Sequence, residues 1–136
     1  MDFLPIFLNL KGARCVVIGG GAVAARKAGL LIGCGAHVVV IAPELGEALG
    51  AERDAKRIEH IAARFDDAHL AAATIVIAAT DDPAVNAAVS RSAKARGLPV
   101  NVVDSPDLCS FLFPSIVDRS PMIVAEAVNE ARWLSS

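Results

Sequence analysis

Gly19, Gly21 and Ala24 stand at the spacing G-x-G-x-x-G/A within the run Cys15-Val16-Val17-Ile18-Gly19-Gly20-Gly21-Ala22-Val23-Ala24. That pattern suits a backbone that must wrap a pyrophosphate. Gly19 lets the chain turn sharply off a strand, with Gly20 completing the turn. Gly21 carries no side chain, so a phosphate can approach the main chain. Ala24 lets a helix pack close to a sheet. The N–H groups of Ala22 and Val23 open that helix, and its dipole favours an anion there.

A second candidate is Asp104, which follows an apolar segment. In open α/β sheets, ligands bind beyond the carboxyl ends of the strands. A carboxylate in that place can act as a general base. From the residues alone, a turn or cap role in Asp104-Ser105-Pro106-Asp107 is the favoured reading. Glu44 lies 23 residues after Gly21, close to the ~20 at which these folds set an acid on the ribose hydroxyls. It stands past the strand end, in Ala42-Pro43-Glu44, where it also fits a helix start. A backbone contact from Ala42–Glu44 to an adenosine is the favoured reading, and no basic residue beside Pro43 invites a 2′-phosphate. Arg26 and Lys27 divide evenly between a solvated face and a reach toward an anion over the turn.

The elements needed to position these residues can be read in order. Leu4–Leu10 is an apolar lead-in, limited by Pro5. Cys15–Ile18 is a strand covered on both faces. A helix runs from Ala22 to about Ile32, and Gly33–Gly35 end it. Strands are expected at Val38–Ile41, Ile58–Phe65, Thr74–Ala79 and Pro99–Val103. Glu44–Ala55 is helix-compatible, and Asp66–Ala72 is a short helix. Asp82 caps a helix with Pro83 in its first turn, and Gly97 stops it. After Asp104, Phe111–Val117 and Met122–Ala125 read as an antiparallel ribbon added near the sheet edge. The expected fold is a Rossmann-type, doubly wound parallel α/β sheet with that C-terminal antiparallel β-ribbon. One domain is expected over residues 1–125, with 126–136 as a tail.

Composition narrows the classes. The chain of 136 residues is long enough to bury roughly two-thirds of its unfolded surface. A net charge of −2 offers no general pull toward nucleic acid or an anionic membrane. No apolar run reaches the ~18–20 residues of a membrane span, and Met1–Pro5 lacks the basic start of a signal peptide. A cytoplasmic location is expected. Cys15, Cys34 and Cys109 form no C-x-x-C pair and read as small buried apolar residues. His37, His60 and His69 are scattered and read as surface or satisfied residues, so no protein metal site is expected.

With these segments in place, the chain resembles the precorrin-2 dehydrogenase / sirohydrochlorin ferrochelatase module of siroheme synthases. The resemblance rests on Leu4-Pro5-Ile6-Phe7, the glycine turn through Lys27, Ala42-Pro43-Glu44, and Ala78–Asp82 with Val85-Asn86. It continues through Asn101-Val102-Val103-Asp104, then Ser110-Phe111 with Pro114–Pro121. Ordinary dinucleotide domains do not carry that last block. The resemblance implies oxidation of the tetrapyrrole precorrin-2 to sirohydrochlorin, with NAD+ taking the hydride. In many members it also implies insertion of ferrous iron, as a substrate. It implies Asp104 as the catalytic acid–base group. It also implies NAD over Gly19–Val23, with Pro43 and Glu44 at the adenosine and Thr80 and Asp81 toward the nicotinamide. Ser110 and Arg119 are candidates for binding the substrate, with Arg91 and Lys27 further cations for its carboxylates. The family is homodimeric, through a segment and a helical domain that residues 126–136 do not match. The alternative expectation is therefore an NAD-binding remnant or regulatory module without turnover.

Overall fold

The computed structural model describes residues 2–119 and 122–126. A parallel sheet forms from β1 (Arg14–Ile18), β2 (His37–Ile41), β3 (Ile58–Ile61), β4 (Ile75–Ala78) and β5 (Val100–Val102). Its order is β3-β2-β1-β4-β5, and every neighbouring pair runs parallel. This is the Rossmann-type order, and the topology reverses between β1 and β4.

Three helices connect the strands: α1 (Ala22–Gly33), α2 (Glu47–Asp54) and α3 (Pro83–Ala95). Side chains alternate across the sheet and so feed two cores. Cys15, Val17, Val38, Val40 and Ile77 meet Ala24, Ala28 and Leu31 of α1 and Leu49 of α2. Val16, Ile18, Val39, Val76 and Val102 meet Val89 and Ala93 of α3. Both faces of β1 are therefore covered, which explains its unbroken apolar run. The small Ala24 and Ala28 let α1 lie close to the sheet. Asp82 caps α3 by accepting the Ala84 N–H at 2.9 Å, with Pro83 opening the helix.

Several boundaries differ from the sequence expectations. β3 stops at Ile61 rather than Phe65, because the Ala63 N–H turns back to the Ile61 carbonyl at 3.0 Å. The helix expected over Asp66–Ala72 is a single 3-10 turn, Asp67–Leu70, closed by a capping box of Asp66 and His69. Another 3-10 turn, Pro106–Leu108, follows β5. Phe3, Leu4, Ile6, Phe7 and Leu8 are exposed and form no strand. The ribbon strands β6 (Ser115–Arg119) and β7 (Met122–Glu126) pair antiparallel in a sheet of their own. They do not extend the edge of the main sheet. The expected helix or tail over 126–136 falls, after Glu126, outside the described residues.

Candidate nucleotide site at the carboxyl edge of the sheet

The three glycines after β1 do different jobs. Gly19 has φ +136°, and a Cβ there would lie 2.8 Å from the Ala79 carbonyl carbon. Gly20 packs its α-carbon against the Glu44 carbonyl and Ala42, so a Cβ there would meet the Glu44 backbone. The Gly46 N–H donates to the Gly20 carbonyl at 2.8 Å and locks the β2–α2 loop onto the turn. Gly21 differs from both. It has φ −90°, open to any residue, and a Cβ there would meet nothing within 4 Å. No side chain caps α1 at Gly21. The first internal bond runs from the Ala25 N–H to the Gly21 carbonyl, at 3.0 Å. The N–H groups of Ala22, Val23 and Ala24 therefore remain available to a ligand. This is the space a pyrophosphate needs, and the residues present fit a dinucleotide. An open cleft of about 510 Å³ runs between Gly20–Ala22 and the start of α2.

On the adenosine side, Pro43 and Glu44 are exposed beyond β2. Glu44 does not start a helix: α2 begins at Glu47 after Gly46. The Glu44 carbonyl is turned onto Gly20, so that residue anchors the loop by its backbone.

Beyond β4, Thr80 is held in a clasp. Its N–H and hydroxyl both donate to Asn86 Oδ1, at 3.2 and 2.7 Å. Asn86 Nδ2 returns a bond to the Thr80 carbonyl at 3.0 Å. Asn86 is buried, and its amide is spent on shaping this turn. Asp81 is exposed at the tip. Beyond β5, Asp104 is exposed and left-handed at φ +61°, a conformation that Asp tolerates better than most residues. The Ser105 N–H donates to the Val102 carbonyl at 3.2 Å, so Asp104 is the corner of a turn. The turn reading of Asp104 thus holds, and the turn projects the residue past the strand end.

Cys109 stands under that corner. Its sulfur accepts the Val102 N–H at 3.0 Å, and its proton can go to the Val102 carbonyl at 3.2 Å or the Ser105 carbonyl at 3.4 Å. The expectation of three buried apolar cysteines therefore holds only for Cys15, whose thiol burial pushes up. Cys34 is exposed, because α1 ends there, and Cys109 is a half-buried hydrogen-bonding group. Ser110, expected at the substrate, is exposed and accepts the Val100 N–H on its hydroxyl at 2.9 Å. That is the amino end of β5, away from Asp104. Lys27 sets its Nζ 4.5 Å over the Phe113 ring, a cation–π contact. Arg91 is exposed on α3, and the side chain of Arg119 lies outside the described residues. His60 places Nε2 2.8 Å from the Ala42 carbonyl, and His69 accepts the Asp66 N–H at 3.0 Å. Sequence reasoning gave no role to Asn86, Asn101, His60 or Cys109. The one signal for Asn101 was a polar residue inside the apolar fifth strand, where its amide donates to the Phe111 carbonyl at 3.1 Å.

Comparisons with known proteins agree with this geometry. The chain is 54% identical to a siroheme synthase of Methylobacillus flagellatus over 125 residues, covering 92% of this chain and 27% of that protein. A siroheme synthase of Nitrosospira multiformis is also 54% identical, over 129 residues, with the same coverage. The chain thus spans about a quarter of the length of these relatives. Among solved structures, "SirC, precorrin-2 dehydrogenase" superposes with a TM-score of 0.80 at 24% identity, covering 95% of this chain and 63% of that one. This likeness establishes the fold. Among the described residues, no helix is long and apolar enough to cross a membrane. Residues 6–115 match the family model described as "Putative NAD(P)-binding". That match spans most of the chain, from before β1 to the start of β6, and the chain belongs to this NAD(P)-binding family.

Proposed function

We propose that the chain is the NAD-dependent dehydrogenase part of a siroheme-forming enzyme, acting on precorrin-2 in the cytoplasm. The observation that carries the reading is Gly21. Nothing in the fold requires glycine there, yet the position is bare where a pyrophosphate would lie. The siroheme synthases at 54% identity supply the substrate class. Residues 1–125 are the NAD-binding domain, and β7 runs one residue further, to Glu126.

The chain's own residues divide the work. The N–H groups of Ala22 and Val23 hold the pyrophosphate, aided by the α1 dipole. The Pro43–Glu44 backbone borders the adenosine. The Asn86 clasp sets Thr80 and Asp81 at the nicotinamide end. NAD+ bound there supplies the hydride acceptor. Oxidation of precorrin-2 also releases a proton, which the Asp104 carboxylate takes. With ferrous iron as a second substrate, the same carboxylate takes the two displaced pyrrole protons in turn and passes each to water. Lys27, Arg91 and Arg119 are the cations nearest in kind to the macrocycle's carboxylates. Ser110 contributes through the backbone of β5.

The test is conversion of precorrin-2 to sirohydrochlorin with NAD+, followed by absorbance. Asp104→Ala is expected to abolish turnover while NAD+ still binds. Equal turnover by wild type and variant would remove Asp104 from the mechanism.

A further inference from the structure

The β2–β3 ladder breaks off one step early, and His60 repairs the break. The Ala42 N–H donates to the Ile61 carbonyl at 3.2 Å. In a parallel ladder, the next bond would come from the Ala63 N–H to the Ala42 carbonyl. The Ala63 N–H is instead spent locally on the Ile61 carbonyl. Ala42 is buried, so its carbonyl cannot turn to water without cost. The His60 ring fills the gap with Nε2 at 2.8 Å. Both the Nε2–H tautomer and the imidazolium can donate this bond.

What the bond holds is specific. Ala42 is followed by Pro43, which has no N–H with which to fix itself. Two residues on, the Glu44 carbonyl packs against Gly20, and Gly46 donates to the Gly20 carbonyl. The Ala42–Gly46 loop is thus tied at its far end to the glycine turn and at its near end to His60. From this geometry we infer that His60 is a positioning residue for the adenosine half of the dinucleotide. Its imidazole fixes the Ala42–Glu44 backbone that borders the adenosine, and it does not touch the ligand. This rests on the cofactor reading proposed above. It assigns His60, on an edge strand, to one half of the cofactor only.

The experiment titrates NAD+, ADP-ribose and nicotinamide mononucleotide into the whole chain as wild type, His60→Leu, His60→Asn and His60→Gln. The Leu and Asn variants should bind NAD+ and ADP-ribose about fivefold more weakly, the size of one net hydrogen bond. Their affinity for nicotinamide mononucleotide, measured by competition, should stay within about twofold of wild type. The Gln variant, whose longer amide can reach the Ala42 carbonyl, should restore ADP-ribose binding. If the Leu variant does not fold, the Asn and Gln pair carries the comparison. Unchanged ADP-ribose binding in the Asn variant would overturn the inference. An equal loss for ADP-ribose and nicotinamide mononucleotide would overturn it too, since that marks a general loss of structure. A wild-type chain that fails to bind NAD+ would instead overturn the cofactor reading beneath it.

Discussion

On the β1–β2 side of the sheet's carboxyl edge, backbone packs directly on backbone. Gly20 abuts Glu44 and Gly46 donates to Gly20, and Gly19 carries the same packing across to Ala79, just past the end of β4. On the β4–β5 side, side chains hold the turns instead. Asn86 clasps Thr80, and the Cys109 sulfur braces the corner that carries Asp104. The two constructions suit different tasks. A pyrophosphate needs bare N–H groups at close range, so side chains are removed there. In the proposed function the braced side carries Asp104, whose turn is held by Cys109 rather than by close backbone packing. Substitutions should therefore fail differently on the two sides.

The largest effect is expected at the backbone contacts. Gly19→Ala forces a methyl toward the Ala79 carbonyl at an unfavourable φ, and should cost about 2–5 kcal/mol in urea unfolding. An unchanged midpoint would break the close-packing side of the contrast. Next comes Asn86→Ala, which leaves the Thr80 N–H and carbonyl without partners. A loss of about 2–3 kcal/mol is expected, again by urea unfolding. Gly21→Ala sharpens the comparison further. Its methyl meets only open space, so stability should hold within about 0.5 kcal/mol. NAD+ binding should nonetheless weaken about tenfold or more, read by calorimetry. Equal affinity for the two proteins would mean that the vacant position is not the phosphate site.

The smallest effect lies away from the edge. The Arg96 guanidinium, 2.8 Å from Asp67, holds the Asp67 carboxyl below its ordinary range. A depressed folded value stabilises above the unfolded value, and the contribution is lost as pH falls through the folded one. The pair is solvent-exposed, so the gain is slight. Asp67→Asn should lower the melting temperature slightly at pH 7, and the difference should shrink as pH falls through and below the ordinary Asp range. A shift that does not shrink on acidification would assign the effect to something other than charge.

Much of the fold was legible because single signals were strong. The unbroken apolar run of β1, the glycine turn, and Asp82-Pro83 each point to one structure. β3 was overrun because Phe65 packs against the α3-side core without belonging to a strand, so its apolar character misled. Asp104 was legible as a position at a strand end, and its left-handed corner was not. The supports were hardest to see. His60 serves a carbonyl 18 residues away, and Cys109 an amide 7 residues away. Such partners are main-chain atoms, which leave no mark in residue identity. Ser110 hides a support of the same kind, since its hydroxyl serves the Val100 N–H.

The central claim is that the turn at Gly19–Val23 holds a dinucleotide. Isothermal titration of NAD+ into the wild-type chain tests it most directly. Saturable binding at one site per chain is expected, with a dissociation constant on the order of micromolar. No heat and no thermal shift at millimolar NAD+ would contradict it.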